Sequence, residues 1–150
     1  MAVFGFCVTA LTGIFISFTN AQKKVSAIQS SQEVGRYLVD YMTKEIRMSF
    51  ILSNNSFSSS GTSSLHIKNA DGKDVVYSFS GGVLTRVENG ISSQLTPPVG
   101  VIATGRFYIA SGLNLSGGKV TIVMEIKKTG NKEAEESEVD MQSTIAARSE

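Results

Sequence analysis

Residues 1–50 read MAVFGFCVTALTGIFISFTNAQ followed by KKVSAIQSSQEVGRYLVDYMTKEIRMSF, and the change of character at Lys23 decides the fold. No side chain from Met1 to Gln22 is charged, and the solidly apolar part, Met1 to Phe18, holds Phe4, Phe6, Phe15 and Phe18. As a helix that part spans about 27 Å, close to the hydrocarbon thickness of a bilayer. Three readings compete: a cleaved secretory signal, a buried core helix and a retained membrane anchor. Thr19-Asn20-Ala21 offers small residues before a cut, but no Lys or Arg precedes the apolar run as a signal peptide requires. The rest of the chain is too small to wrap a helix that is apolar all round. The anchor is the reading adopted, with Lys23 and Lys24 at the lipid–water boundary and their stems along the apolar zone.

Beyond Lys23 the pattern becomes one-faced. Val25, Ile28, Val34, Leu38, Tyr41, Met42 and Ile46 recur at spacings near three and four and predict the face a helix lays on a sheet. Glu33, Arg36, Asp40, Lys44, Glu45 and Arg47 lie mostly off that stripe, and Asp40 to Lys44 is a supportive i,i+4 pair. No proline intervenes, and Gly35 is the one weak point. The expectation is a single helix of about fifty residues, about 75 Å long. Residues 1–22 form its membrane or filament-core half and 23–52 its amphipathic half. Residues 53–150 form a β domain that the amphipathic half completes.

After the polar connector 53–64 (SNNSFSSSGTSS), strand signals follow closely. Leu65 and Ile67 alternate with His66 and Lys68, and Asn69-Ala70-Asp71-Gly72 supplies a turn into Val75, Tyr77 and Phe79. Gly81-Gly82 and Asn89-Gly90 bracket VLTRVE; after Pro97-Pro98, Val101, Ala103, Phe107 and Ile109 share a parity. In KVTIVMEIKK, Val120, Ile122, Met124 and Ile126 face one way, and Val139, Met141, Ile145 and Ala147 close the series. An apolar sheet face needs a cover and the amphipathic helix needs a bed. The expected fold class is therefore α+β: a long N-terminal helix, apolar then amphipathic, packed on an antiparallel sheet.

Composition excludes several function classes. With Lys+Arg 14 against Asp+Glu 13 in 150 residues, no basic patch for nucleic acid is expected. One cysteine forms no internal disulfide framework, and Cys7 inside the apolar run reads as a small hydrophobe. His66 is the sole imidazole, and Ser63 or Ser64 beside it lacks a third orienting group. Asn69, Asp71, Gly72 and Asp74 resemble a calcium loop without its full alternating pattern, and Asp-Gly is an ordinary hairpin turn. Glu133, Glu135, Glu136, Glu138 and Asp140 read as a solvated hairpin tip or a partner loop. The sequons at Asn54 and Asn114 carry no weight. The chain is read as no enzyme, with no catalytic, cofactor or metal residues.

The stretches QSSQEVGRYLVDYMTKEIRMS, YSFSGGVLTRVENG, LTPPV and DMQSTIAAR, in that order behind a bare apolar helix, resemble the type IV pilin family, including minor pilins and the J-type pseudopilins of type II secretion. The resemblance spans essentially the whole chain. Family members open with an aromatic followed by T-L-I-E-L after a short basic leader, and Met1-Ala2-Val3-Phe4 looks like the run just after that signature. The expectation is that this signature lies upstream of Met1 or has been lost, and the family's glutamate is carried to no residue.

The resemblance implies a structural subunit of a pilus, type II secretion or DNA-uptake filament. Its partners would be other pilin or pseudopilin subunits, the inner membrane and the assembly machinery. It implies a single-pass inner-membrane precursor that moves into a periplasmic or cell-surface filament. Lys23 and Lys24 alone would favour a cytoplasmic domain, whereas the family places the domain outside, the orientation adopted. Phe4, Phe6, Val8, Leu11, Ile14, Phe15 and Phe18 would pack helix to helix, with Gly5 and Gly13 permitting close approach. The alternative is a membrane-anchored or secreted binding module that does not polymerise.

Overall fold

The structure is a computed structural model describing residues 2–52, 55, 59–97, 100–110, 118–130 and 135–148, the side chains of 2–10 excepted. Helix α1 runs unbroken over Ala2–Arg47, 46 residues and about 69 Å. Lys44 and Arg47 occupy its last turn, where positive charge suits the helix dipole. Met48 N–H and Ser49 N–H donate to the carbonyls of Glu45 and Ile46 at 3.2 and 3.1 Å, tightening the end. The helix thus stops five residues before position 52, and Phe50–Ile51 turns at once into strand β1.

Strands β1, β2 (Ser64–Lys68), β3 (Asp74–Ser80), β4 (Val83–Glu88) and β5 (Ile91–Gln94) form an antiparallel meander in sequence order. Strands β6 (Val101–Ala110), β7 (Lys119–Lys128) and β8 (Ser137–Ala146) form a second, three-stranded one. Both two-residue turns of the first sheet are of the primed kind that right-twisted hairpins favour: Gly81 and Gly82 have φ of 60° and 77°, Asn89 and Gly90 of 49° and 83°.

The expected fold class is corrected here. Among the described residues the chain is α+β with one long helix, but it carries two antiparallel sheets, not one, and strand outweighs helix. Two features account for the difference. Leu95 N–H still donates to Leu84 O at 2.9 Å, but Pro97, with no N–H and a fixed φ, is unsuited to carrying the ladder from β5 further. Alternation, moreover, reports which face a residue takes and not which strand it pairs with. Strand β6 therefore opens a new sheet and meets the first at isolated points along its length, not as a continuous ladder. Phe107 and Thr62 exchange both backbone bonds at 2.8 Å, and Ala103 N–H donates to Gly82 O at 2.7 Å.

One core lies between these layers. Leu38, Met42 and Ile46 of α1 pack with Leu65, Ile67, Tyr77 and Leu84 of the first sheet and Phe107, Ile122, Met124, Ile126 and Ile145 of the second. Rings of Phe79 and Phe107 meet at 5.1 Å between centroids where the sheets join.

Helix α1 lies mainly along β8. Ser137 Oγ donates to the Ala27 carbonyl at 3.0 Å and shares a 2.5 Å hydrogen bond with Ser31 Oγ, both serines being buried. At the far end Arg148 N–H donates to Ser49 O at 3.2 Å. From Ala27 to Ser49 the helix advances about 33 Å, and from Ser137 to Arg148 the strand path covers about 36 Å, so the two run side by side in one direction. Gly35 is buried between these ties, and a Cβ there would lie 2.5 Å from Met141 Sδ. The residue that weakens the helix locally is the one that lets it settle on β8.

Val25 does not belong to the docked face, which corrects that member of the predicted stripe. The buried line is Ala27, Ser31, Gly35, Leu38, Met42 and Ile46, and Val25 is 53% exposed. Two residues before Ala27 is about 200° around the helix, the opposite side. The predicted stripe missed small residues that serve a close helix–strand contact better than a large apolar one.

Candidate functional site

The feature that stands out is the half of α1 that the β domain does not cover. Leu11, Ile14, Phe15, Ile16 and Phe18 are each more than half exposed, Phe15 at 70%. At 100° per residue Leu11, Ile14, Phe15 and Phe18 fall within a sector of about 100°, and Val25 continues it. Ala27, Ser31, Leu38, Met42 and Ile46 fall in a second sector centred about 145° away. The apolar face therefore changes sides between Gln22 and Ala27. Above that point it looks away from the chain's own sheets; below it looks into them. Thr12, Gly13 and Ser17 lie on the other side of the projecting half, together with Ile16.

Of the seven predicted helix-packing residues, Leu11, Ile14, Phe15 and Phe18 are placed together on this face. The side chains of Phe4, Phe6 and Val8 lie outside the described residues, as do Cys7, Asn54, Asn114 and Glu133. Among the described residues no helix is long and apolar enough to cross a membrane. Of the predicted helix-on-sheet residues, Leu38, Met42 and Ile46 are buried and Ile28, Val34 and Tyr41 half-buried.

Where the change of sides occurs, the β domain holds the helix by charge. Lys23 Nζ is 3.1 Å from Glu135 Oε1, and Lys24 Nζ donates to the Glu136 carbonyl at 2.6 Å. This collar links the base of the projecting half to the segment between β7 and β8.

A second polar cluster fixes the other end of the docked half. Arg86 on β4 donates from Nε and Nη2 to the two carboxylate oxygens of Glu45, at 2.9 and 2.6 Å, a bidentate fork. Tyr77 Oη donates to the same carboxylate, and Arg86 Nη1 reaches Glu88 at 2.8 Å, with Lys73 at 2.9 Å beyond it. Burial pushes the Glu45 carboxyl up, but hydrogen bonds from Arg86 and Tyr77 outweigh it and hold the group below the usual carboxylate range. Burial, then the bond to Glu45, pushes the Tyr77 phenol far above its ordinary value. Every charged member faces a partner, so the cluster clamps α1 to the first sheet and offers no poised acid or base. Sequence reading missed it, because Glu45, Tyr77 and Arg86 have no characteristic spacing and meet only through the fold.

The remaining candidates have structural occupations. Asn69 Oδ1 accepts from the N–H groups of Asp71 and Lys73 at 3.0 and 2.9 Å, closing the β2–β3 turn that resembled a calcium loop. Asn55 bonds His66 on both backbone groups, from Nδ2 to O at 2.7 Å and from N to Oδ1 at 2.8 Å, acting as a side-chain extension of the sheet. His66 sits within β2 opposite Val76.

Fold and surface together define a class: an α+β protein of one helix and two meanders, whose helix carries an outward apolar face beyond the domain. Compared with known proteins, the chain matches no family model, no curated protein and no solved structure.

Proposed function

We propose that this chain is a structural subunit of a type IV pilus-like filament, a minor pilin or a pseudopilin of a type II secretion or DNA-uptake system, assembling through the projecting half of α1. One observation carries the proposal. The face formed by Leu11, Ile14, Phe15, Phe18 and Val25 is turned about 145° around the helix from the chain's own docked face. A neighbour reaching that face would approach from the side turned away from the subunit's own docked sheets. Copies gathered with these faces inward would keep their β domains outside, without collision. Before assembly the bare half would sit in the bacterial inner membrane, and assembly would exchange lipid contacts for close helix packing. The sequence resemblance supports the same reading, while the two-sheet β domain adds nothing to it.

The test is recovery of the chain in filaments sheared from its native cells, with neighbouring copies captured by short cross-linkers on the projecting helix. Recovery in the filament fraction, cross-linked to other subunits, supports assembly. Recovery only as an uncross-linked membrane or secreted protein would leave the non-polymerising binding module as the better account.

A further inference from the structure

Next to the collar lies a cleft of about 380 Å³ lined by Lys23, Ser26 and Ala27 of α1 and Lys128, Thr129, Gly130 and Glu135 around the end of β7. Its two sides are brought together by Ser137, which pairs with Lys128 across β7–β8 and bonds the Ala27 carbonyl. Two lysines and two hydroxyl residues thus line one opening, in which Glu135 is the acidic member among the described residues. The opening sits five residues beyond Phe18, the last aromatic residue of the exposed apolar face, a rise of about 7.5 Å along the helix. That is the depth at which headgroups lie when an apolar helix end is in the hydrocarbon.

We propose that this cleft binds the phosphodiester headgroup of an anionic phospholipid, with Lys23 and Lys128 as the cationic contacts, Ser26 and Thr129 as hydroxyl donors, and Glu135 as a resident competitor. The inference rests on the projecting half occupying a bilayer. The Lys23–Glu135 pair is part-exposed, with side chains 42% and 35% accessible, and pairs of this kind are weak. A lipid phosphate displaces Glu135 from Lys23 by offering the same charge without the constraint of the loop. In this arrangement Glu135 tunes the site: it occupies Lys23 when no anionic lipid is present and lowers affinity when one is.

The experiment titrates the full chain, held in a neutral maltoside micelle, with short-chain phosphatidylglycerol, short-chain phosphatidylcholine and inorganic phosphate, read by calorimetry and amide chemical shifts. Phosphatidylglycerol is expected to bind saturably, with shifts at Lys23, Ser26 and Gly130, and more tightly than either other probe. Lys23→Gln and Lys128→Gln each weaken it about fivefold, the worth of one basic residue at an anionic surface. Glu135→Gln strengthens it, a gain that misfolding does not produce. Equal affinity for phosphatidylcholine, equal affinity for inorganic phosphate, or no gain in Glu135→Gln overturns the proposal. Filament recovery is scored separately, so loss of lipid binding and loss of assembly are told apart.

Discussion

Replacing Gly35 probes the seat of the helix more sharply than any large-to-small change. A Cβ at this position would stand 2.5 Å from Met141 Sδ, 2.7 Å from Met141 Cε and 3.4 Å from Ile126 Cγ1. Unstrained carbon contacts lie at about 3.5–4.0 Å, so Met141 must retreat by roughly 1 Å to admit alanine. Methionine has three side-chain torsions with which to do so. Against that displacement stands a helix-propensity gain of about 1 kcal/mol for Gly→Ala. The two nearly cancel, and Gly35→Ala is expected within about 1 kcal/mol of wild type. Gly35→Leu has no such escape, because its branch must also enter the space of Ile126. Overpacking of this kind costs about 2–3 kcal/mol. In Met141→Ala the added leucine finds room, so the double variant should recover at least about 1 kcal/mol of the cost, a coupling of the size that touching residues show. Urea unfolding of the full chain in neutral detergent, followed by circular dichroism, gives all four corners of the cycle. Additive effects, or a Gly35→Leu variant as stable as wild type, would refute the seating of α1 on β8.

Residues 23–150 alone are expected to give a soluble, folded monomer, since the docked half of α1 already covers the core; aggregation on size-exclusion chromatography would show that the projecting half belongs to that core. Leu38→Asp should cost about 4 kcal/mol or more in thermal or urea melts, because a fully buried leucine gives way to an unpaired carboxylate, while Arg36→Asp on the exposed side should stay within about 0.5 kcal/mol. Glu45→Gln should cost about 2 kcal/mol at neutral pH, since Arg86 and Tyr77 lose their shared acceptor charge. Glu45 titrates below its ordinary 4.5, so its contribution is complete above that pH and is lost as pH falls through the depressed value; the variant's stability should fall less on acidification than wild type's.

What the sequence disclosed follows from what periodicity encodes. The helix was legible because Lys23 splits an uncharged run from a one-faced one, and the strands because Val75, Tyr77, Phe79 and Val120, Ile122, Met124, Ile126 keep strict parity. The division into two sheets was not, since parity is silent about partners, and β5 (ISSQ) has no apolar alternation to announce it. The docked line was half legible: Leu38, Met42 and Ile46 are large, whereas Ala27, Ser31 and Gly35 carry their packing by being small. At the candidate surface, composition disclosed the apolar run but not its direction. That the stripe of Leu11, Phe15 and Phe18 turns away from the sheets becomes visible only once Val25 proves exposed and Ala27 buried. The clamp of Glu45, Tyr77 and Arg86 joins residues up to 41 positions apart and left no local trace.

The central claim is that one face of the projecting helix, the one turned from the β domain, is where neighbouring subunits pack. Phe15→Lys and Ser17→Lys test it directly, because they place the same charge two residues apart on widely separated faces at nearly the same depth. The insertion cost, about 2.5–3.5 kcal/mol for a mid-helix lysine, is shared by both. The measurement is the amount of each variant in sheared filaments divided by the amount in the membrane fraction of the same cells. The account predicts a ratio near zero for Phe15→Lys and one close to wild type for Ser17→Lys; equal ratios for the two variants would contradict it.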